Sequence, residues 1–230
     1  MNPSRLRSSR SLLAGAAVLV TVALALTGCS AEDDLAGDSA RVGAQALSVD
    51  EVTSRSAEVV ELAQAASAPA IDPAALNRAQ VSVWVQERLS DIAAEEADID
   101  VTQGDVDAFL KEVVGANGTT LQEFRQAVAL QQGFWIPPSG LENYTKSFLQ
   151  QQPLGRKLAP NGSEQEQQIA AQKVLAETGD AVGVLIAPRY GTWDPTTGQV
   201  LPADNDLSSP PTEATPGLPE GLVPGDPSQG

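Results

Sequence analysis

The segment from residue 73 to residue 97 repeats apolar residues at the spacing of a single helix face. Asp72 and Pro73 open it with a capping side chain and a proline suited to the first helical position. The apolar positions then follow at i, i+4, i+8 and i+11, and they are Val81, Val85, Leu89 and Ile92. This spacing predicts an amphipathic helix whose apolar side is buried against other elements.

Other segments carry the same signals, so we expect several helices. Ser48 is followed by Glu51, and Thr102 by Asp105, at the spacing of a capping box. The first of these predicts a helix to about residue 66. Further helices are expected after Thr102, after Thr119 or Thr120 (with Leu121, Phe124, Val128 and Leu130 on its apolar face), and over 140–151 and 164–177.

Short alternating segments stand at both ends of this helical region. Apolar and polar residues alternate over 42–47, which predicts a strand and a turn, and apolar residues recur at Val182, Val184 and Ile186. Turn residues over 194–198 then lead into a return strand at 199–201. Aromatic residues make up only 4 % of the chain, as suits packed helices. We therefore expect a mainly α fold whose N- and C-terminal strands pair in a small sheet.

The N-terminal 28 residues have the character of an export signal. A basic start precedes an apolar run over 12–26, which is short for a membrane-spanning helix but suits a signal peptide. The run ends in Leu26-Thr27-Gly28-Cys29, which resembles the bacterial lipoprotein signal box. The resemblance implies that Cys29 carries a diacylglycerol group anchoring the protein to the extracytoplasmic face of the cell membrane. The alternative is a secretory signal with an incidental cysteine.

The chain is expected to divide into four parts. The signal peptide (1–28) precedes a flexible tether (29–39), a helical domain (40–201) and a tail (202–230). The tail is rich in proline, glycine and acidic residues and has no apolar period. Such a composition predicts disorder, because it cannot bury enough apolar surface to offset the entropy of ordering.

Composition excludes several functions. The chain has no histidine and one cysteine, which removes serine–histidine catalysis, disulfides within the chain and thiolate zinc sites. Its formal charge is −16 and becomes more negative once the signal peptide's arginines are removed, which disfavours nucleic acid as a partner. No phosphate-binding glycine loop is present. We expect no cofactor, no metal and no enzymatic activity.

An acidic run between the second and third helices suggests calcium at first sight. Its members are Asp98, Asp100, Asp105 and Asp107. Their spacing lacks the alternating ligands, glycine and final glutamate of an EF-hand loop. Acidic residues also stabilise the beginning of a helix through its dipole. We therefore interpret the run as a helix end followed by a helix start.

Three segments in order resemble one family. "ARVGAQALSVDEV" (40–52) resembles the opening of the SurA-type N-terminal chaperone domain, "LSDIAAEEADIDVTQGDVDAFL" (89–110) its next landmark, and "VGVLIAPRYGTWD" (182–194) the returning strand of an actinobacterial lipoprotein branch. The resemblance implies a fold shared with trigger factor and PrsA, and a chaperone that holds unfolded or nascent exported polypeptides. The prolyl isomerase domain common in that family has no room here.

Two functional alternatives to a general chaperone stay open. The same fold could be an accessory scaffold lipoprotein that docks one dedicated envelope partner. A residual prolyl isomerase is disfavoured, because the chain has neither the catalytic domain nor a histidine.

Two groups of residues are candidate sites. Exposed apolar surface binds unstructured chain, and the aromatic residues that we expect to line such a surface are Phe134, Trp135, Tyr144 and Phe148. The second group lies in "APRYGTWD" (187–194). Pro188 and Gly191 predict a sharp bend, with Arg189 pairing with Asp194 or stacking on Tyr190 or Trp193. We interpret the second group as a structural corner, with a partner-recognition patch as the alternative.

Overall fold

The computed structural model of the protein describes residues 35–203, apart from residue 133. The predicted signal peptide, Cys29 and the predicted tail from residue 204 onward lie outside the described residues. Within the described part, no helix is both long enough and apolar enough to span a bilayer.

Helices dominate this part of the chain, with short strands at its two ends. In chain order the elements are β1 (Asp38–Val42), β2 (Gln45–Ser48), α1 (Val49–Ala65), α2 (Pro73–Glu96), α3 (Gln103–Asn117), α4 (Leu121–Gln132), α5 (Leu141–Leu158), α6 (Glu164–Val182), β3 (Val184–Ile186), β4 (Thr192–Asp194) and β5 (Gln199–Leu201). Single 3-10 turns lie at Pro138–Gly140 and Pro188–Tyr190.

Strands from the two ends of the domain pair with each other. β1 is the central strand of a three-stranded antiparallel sheet in the order β2-β1-β3. In its register Ala40 is opposite Ile186, and Val42 is opposite Val184. β4 and β5 form a separate two-stranded hairpin. The mainly α fold with pairing terminal strands is therefore confirmed, and the opening segment is a β1–β2 hairpin rather than one strand and a turn.

The long helix α2 lies at the centre of the core. It packs against α1, α5, α6 and β1, and Val81, Val85 and Leu89 on its predicted apolar face are fully buried. The main core also includes residues from both chain ends, such as Val42 and Val200. A smaller apolar cluster, centred on the fully buried Ile136, joins α4 to the start of α5.

Helix starts follow the capping signals of the sequence. Ser48 accepts a hydrogen bond from the Glu51 amide, and Thr102 forms a reciprocal capping box with Asp105. At the start of α4 it is Thr120 whose backbone amide and hydroxyl donate to Glu123. These are local interactions, and side chains that satisfy orphan amides determine where each helix begins.

Helix α5 continues beyond the predicted end at residue 151. It runs through Pro153 to Leu158, although a proline inside a helix removes one backbone hydrogen bond. Leu154 is buried against α6, and Gly155 lies directly against the backbone of Gln167. Burial of this last turn against α6 offsets the lost hydrogen bond, so the predicted end was wrong.

Two other predictions also need correction. α6 extends to Val182 instead of residue 177, because Thr178 and Gly179 are buried, and the Trp193 ring packs directly over Gly179. Val182 thus belongs to a helix rather than to a strand. Leu130, predicted on the apolar face of α4, is 79 % exposed, because it lies off the i, i+3, i+7 face that Val128 occupies.

Candidate binding groove

A groove of about 410 Å³ runs between α2, α5 and α6. Three of the four predicted aromatic residues line it: Phe134, Tyr144 and Phe148. Most of the other lining residues have small side chains or side-chain amides. They are Ala79, Ser82, Val83, Gln86, Glu87, Ser147, Gln151, Gln168, Gln172 and Gln199. We call this the amide groove.

Phe148 is the largest accessible apolar side chain of the amide groove. It is 42 % exposed, and the centroid of its ring lies 5.6 Å from that of Phe109 on α3 at an angle of 44°. It also lines a neighbouring recess of about 590 Å³ between α5 and α6. Phe148 therefore lies between two concave surfaces, and the ring of Phe109 packs against it.

The other predicted aromatic residues are placed differently. Phe134 and Tyr144 meet edge to face with their ring centroids 5.7 Å apart, and both pack on the smaller apolar cluster. Trp135 is not among the residues lining the amide groove. Its backbone carbonyl accepts a hydrogen bond from Gln80 Nε2 at 3.2 Å, so its main chain fixes the segment before α5 to α2.

A polar network lies at the floor of the amide groove. Gln151 Nε2 donates to the hydroxyl oxygens of Ser90 and Ser147, each at 3.0 Å, and Ser147 donates to Ser90 at 2.9 Å. Gln172 Nε2 approaches Gln151 Oε1 at 3.4 Å. This network links α2, α5 and α6 and holds the Gln151 amide in one orientation.

Glu87, which lines the amide groove, belongs to a buried ion pair. Arg55 Nη2 of α1 donates to Glu87 Oε1 at 3.1 Å, and the two side chains are 5 % and 2 % exposed. Burial raises the pKa of Glu87, and the charge and hydrogen bond of Arg55 partly oppose that rise. Because this carboxylate is paired and nearly inaccessible, it leaves the groove surface with little charge.

The segment 187–194 forms a bend between the two sheets. Tyr190 is buried in the main core, whereas Arg189 is exposed, with its guanidinium 4.8 Å from the centre of the Tyr190 ring. Gly191 has a φ of 131°, and a Cβ there would collide with the Leu201 carbonyl. Trp193 packs over Gly179 of α6. Asp194 accepts hydrogen bonds from Thr196 and Thr197 in its own turn. Arg189 therefore stacks on Tyr190 and does not pair with Asp194.

The acidic run begins and ends helices. Asp98 has a left-handed φ of 54° just after α2, and Asp105 belongs to the capping box of α3. Hydrogen bonds from Thr102 hold the pKa of Asp105 below its ordinary value. Across residues 35–203 without residue 133, no group of three or more acidic, histidine or cysteine side chains is arranged to hold a metal ion.

The sequence prediction missed the glutamines of the groove and the buried ion pair. The sequence does contain a helical spacing that places these glutamines on common helix faces. Gln168 and Gln172 are four residues apart on α6, and Phe148 and Gln151 are three apart on α5, so each pair lies on one helix face. A polar helix face is usually solvated, however, and the same spacing fits that ordinary interpretation.

Comparison with protein-family models, curated proteins and solved structures finds no match to this chain. The resemblance to the SurA-type N-terminal domain stays a prediction from the sequence.

Proposed function

We propose that this protein is a lipid-anchored, extracytoplasmic holding chaperone for unfolded exported polypeptides. The anchor in this proposal is the diacylglyceryl group on Cys29, at the end of a signal-like segment. The protein would act without ATP, an active site or a cofactor. It would keep apolar client segments covered until they fold or are passed on.

The observation that supports this proposal most directly is the placement of Phe148. Its ring is accessible between two concave surfaces instead of being packed in the core. An apolar group in a recess offers a client side chain a partly desolvated contact, and the contact of Phe148 with Phe109 limits the entropy lost when the client binds. The surrounding amides are neutral and can hydrogen-bond to many sequences.

The charge of the chain suits the same function. A formal charge of −16 repels other copies of the chaperone and keeps a complex with an apolar client in solution. The amide groove itself is nearly neutral, because Glu87 is buried and paired with Arg55. Clients would therefore bind at an uncharged site on a strongly acidic protein.

The second candidate is a scaffold that docks one dedicated envelope partner. The exposed guanidinium of Arg189 favours it, because the buried Tyr190 ring beneath holds that cation in place at the bend. A fixed arginine is a common anchor of a specific interface. In this case one partner, rather than many unfolded chains, would bind at residues 187–194.

Aggregation suppression tests the first proposal. The chain from residue 30 onward is added at several ratios to a denatured protein as it is diluted, and light scattering is followed. The matched variants are Phe148→Gln and, as control, Ile169→Gln, because Ile169 is 60 % exposed on α6 and lines neither recess. Melting temperatures verify that both variants fold.

The proposal predicts suppression that titrates with the protein. The accessible part of the Phe148 ring represents roughly 1 kcal/mol of burial, so Phe148→Gln should raise the concentration for half suppression about fivefold. Ile169→Gln should behave like the unchanged protein. Absence of suppression at several-fold excess would contradict the chaperone proposal and favour the scaffold.

A further inference from the structure

The glutamines of the amide groove come from four separate elements. Gln86 lies on α2, Gln151 on α5, Gln168 and Gln172 on α6, and Gln199 on β5. Residues so far apart in sequence converge only because the helices pack as they do. A side-chain amide offers both a donor and an acceptor without charge, so the groove is a concentrated set of neutral hydrogen-bonding groups.

Some of these amides are already used within the protein. Gln86 Nε2 donates to the Gly198 carbonyl, and Gln151 is held by Ser90 and Ser147. Gln168 and Gln199 are exposed, and within the described residues their side chains have no hydrogen-bond partner. Gln172 uses only its Nε2 group, which donates a hydrogen bond to Gln151 Oε1. The groove therefore contains side-chain amides that a ligand can bind next to side-chain amides that are already bonded within the protein.

The amide groove itself offers a ligand little charge. Its one ionisable carboxylate, Glu87, is 2 % exposed and paired with Arg55. A ligand would therefore be held by neutral hydrogen bonds and by contact with Phe148. The peptide group of a polypeptide is such a ligand, because every residue except proline carries one neutral N–H donor and one C=O acceptor. A side-chain amide can pair with both at once.

We infer that the amide groove binds the main chain of an extended client segment. In this inference, which rests on the proposed chaperone function, Gln168, Gln172 and Gln199 hydrogen-bond to client peptide groups. Phe148 covers one apolar side chain of the same segment. Recognition of this kind tolerates many sequences, because the main chain is the same in all of them, and it depends little on salt.

A glycan strand is the other polymer that amides and an aromatic ring could bind. One observation favours polypeptide. The amide groove has no accessible carboxylate to accept hydrogen bonds from sugar hydroxyl groups. Glycan binding is therefore kept as an outcome of the test.

Backbone substitution in the ligand tests the inference. Two fluorescent peptides alternate leucine and serine and carry no charge; in the second, alternate backbone amides are replaced by esters, which removes N–H donors and keeps every side chain. Anisotropy is measured with the full chain and with Gln168→Leu and Gln199→Leu. The control is Gln165→Leu, an exposed glutamine of α6 that lines neither recess.

The inference predicts that the ester peptide binds about tenfold more weakly. Gln168→Leu and Gln199→Leu should each weaken the amide peptide by about fivefold and the ester peptide less, whereas Gln165→Leu should change neither. The affinity should stay the same as sodium chloride is raised, since no ion pair forms.

The contradicting outcomes separate the two proposals. Equal binding of the amide and ester peptides would overturn main-chain recognition and leave the chaperone proposal standing. Binding of neither peptide would overturn both. Displacement of the amide peptide by an N-acetylated oligosaccharide, at lower concentration than by unlabelled peptide, would identify a glycan site and overturn the inference.

Discussion

Arg55 on α1 and Glu87 on α2 form an ion pair with a nitrogen–oxygen distance of 3.1 Å and almost no solvent exposure. Glu87 lines the amide groove, and the pair connects the first two helices. Two charges removed from water are stable only while each is paired. The pair therefore makes the position of the groove floor depend on the packing of α1.

Removing one member of this pair should be more harmful than removing both. Arg55→Met leaves a buried carboxylate unpaired, and we expect the free energy of unfolding to fall by about 3–5 kcal/mol. The double change Arg55→Met with Glu87→Leu should recover most of that loss. Urea unfolding measures both. As control, Lys173→Met breaks the exposed pair with Glu177 and should cost less than about 1 kcal/mol. A double variant no more stable than Arg55→Met would contradict this account.

Acid should weaken the contact between α2 and α5 through Asp91. Burial raises the pKa of Asp91, but hydrogen bonds from Lys146 and Gln150 and the charge of Arg88 lower it more, so the net direction is downward from 3.8. A carboxylate whose pKa is lower in the folded state stabilises the fold at any pH above its unfolded-state pKa. This stabilisation is lost as the pH falls through the folded-state pKa.

We therefore expect Asp91→Asn to unfold at lower urea concentration at neutral pH and to lose less stability than the unchanged protein below about pH 4. Glu87 acts in the opposite direction, because its raised pKa makes the fold take up a proton more readily than the unfolded chain. Urea unfolding across this range for both proteins measures the difference. Parallel curves would show that Asp91 does not contribute to the acid dependence.

Close packing of α5 on α6 requires a glycine at position 155. A Cβ at Gly155 would collide with the backbone carbonyl of Gln167, whereas one at Gly115 on α3 would meet nothing within 4 Å. Gly155→Ala should therefore lower the free energy of unfolding by about 1–3 kcal/mol. Gly115→Ala should raise it by about 0.5–1 kcal/mol, because alanine is the better helix former. Thermal unfolding of both variants measures this, and equal effects would contradict the packing argument.

Two substitutions distinguish the interpretation of segment 187–194 as a structural corner from its interpretation as a partner-recognition patch. Tyr190 is buried, so Tyr190→Ala should destabilise the fold by about 3–5 kcal/mol. Arg189 is exposed, so Arg189→Ala should change stability by less than about 0.5 kcal/mol. Both values come from urea unfolding. If Arg189→Ala instead abolishes capture of one envelope protein in membrane crosslinking, the bend is a partner patch.

The sequence predicted the parts of the fold that depend on local interactions. Helix starts at Ser48, Thr102 and Thr120 follow from capping side chains that bond within four residues. The pairing of terminal strands followed from alternation at both ends of the domain. Elements governed by distant contacts were missed. Pro153 signals a helix end, and only burial of Leu154 and Gly155 against α6 keeps the helix intact.

The groove was predictable in its aromatic residues but not in its polar ones. Aromatic side chains are rare in this chain, so Phe134, Tyr144 and Phe148 were natural candidates. Glutamines on a helix face have no such distinction, because a solvated face looks the same. The other charged side chains of α1 and α2 are exposed or half-buried, and nothing in the local sequence shows that Arg55 and Glu87 face each other.

The central claim is that unfolded polypeptide binds at the amide groove, and nuclear magnetic resonance tests it most directly. An unlabelled, permanently unfolded protein is titrated into the isotope-labelled chain, and changes in backbone and side-chain amide signals are followed. The account predicts changes concentrated at Phe148, Gln168 and Gln172, with the Gln165 signal unchanged. Changes centred on Arg189 and Trp193, or no change at saturating client, would contradict it.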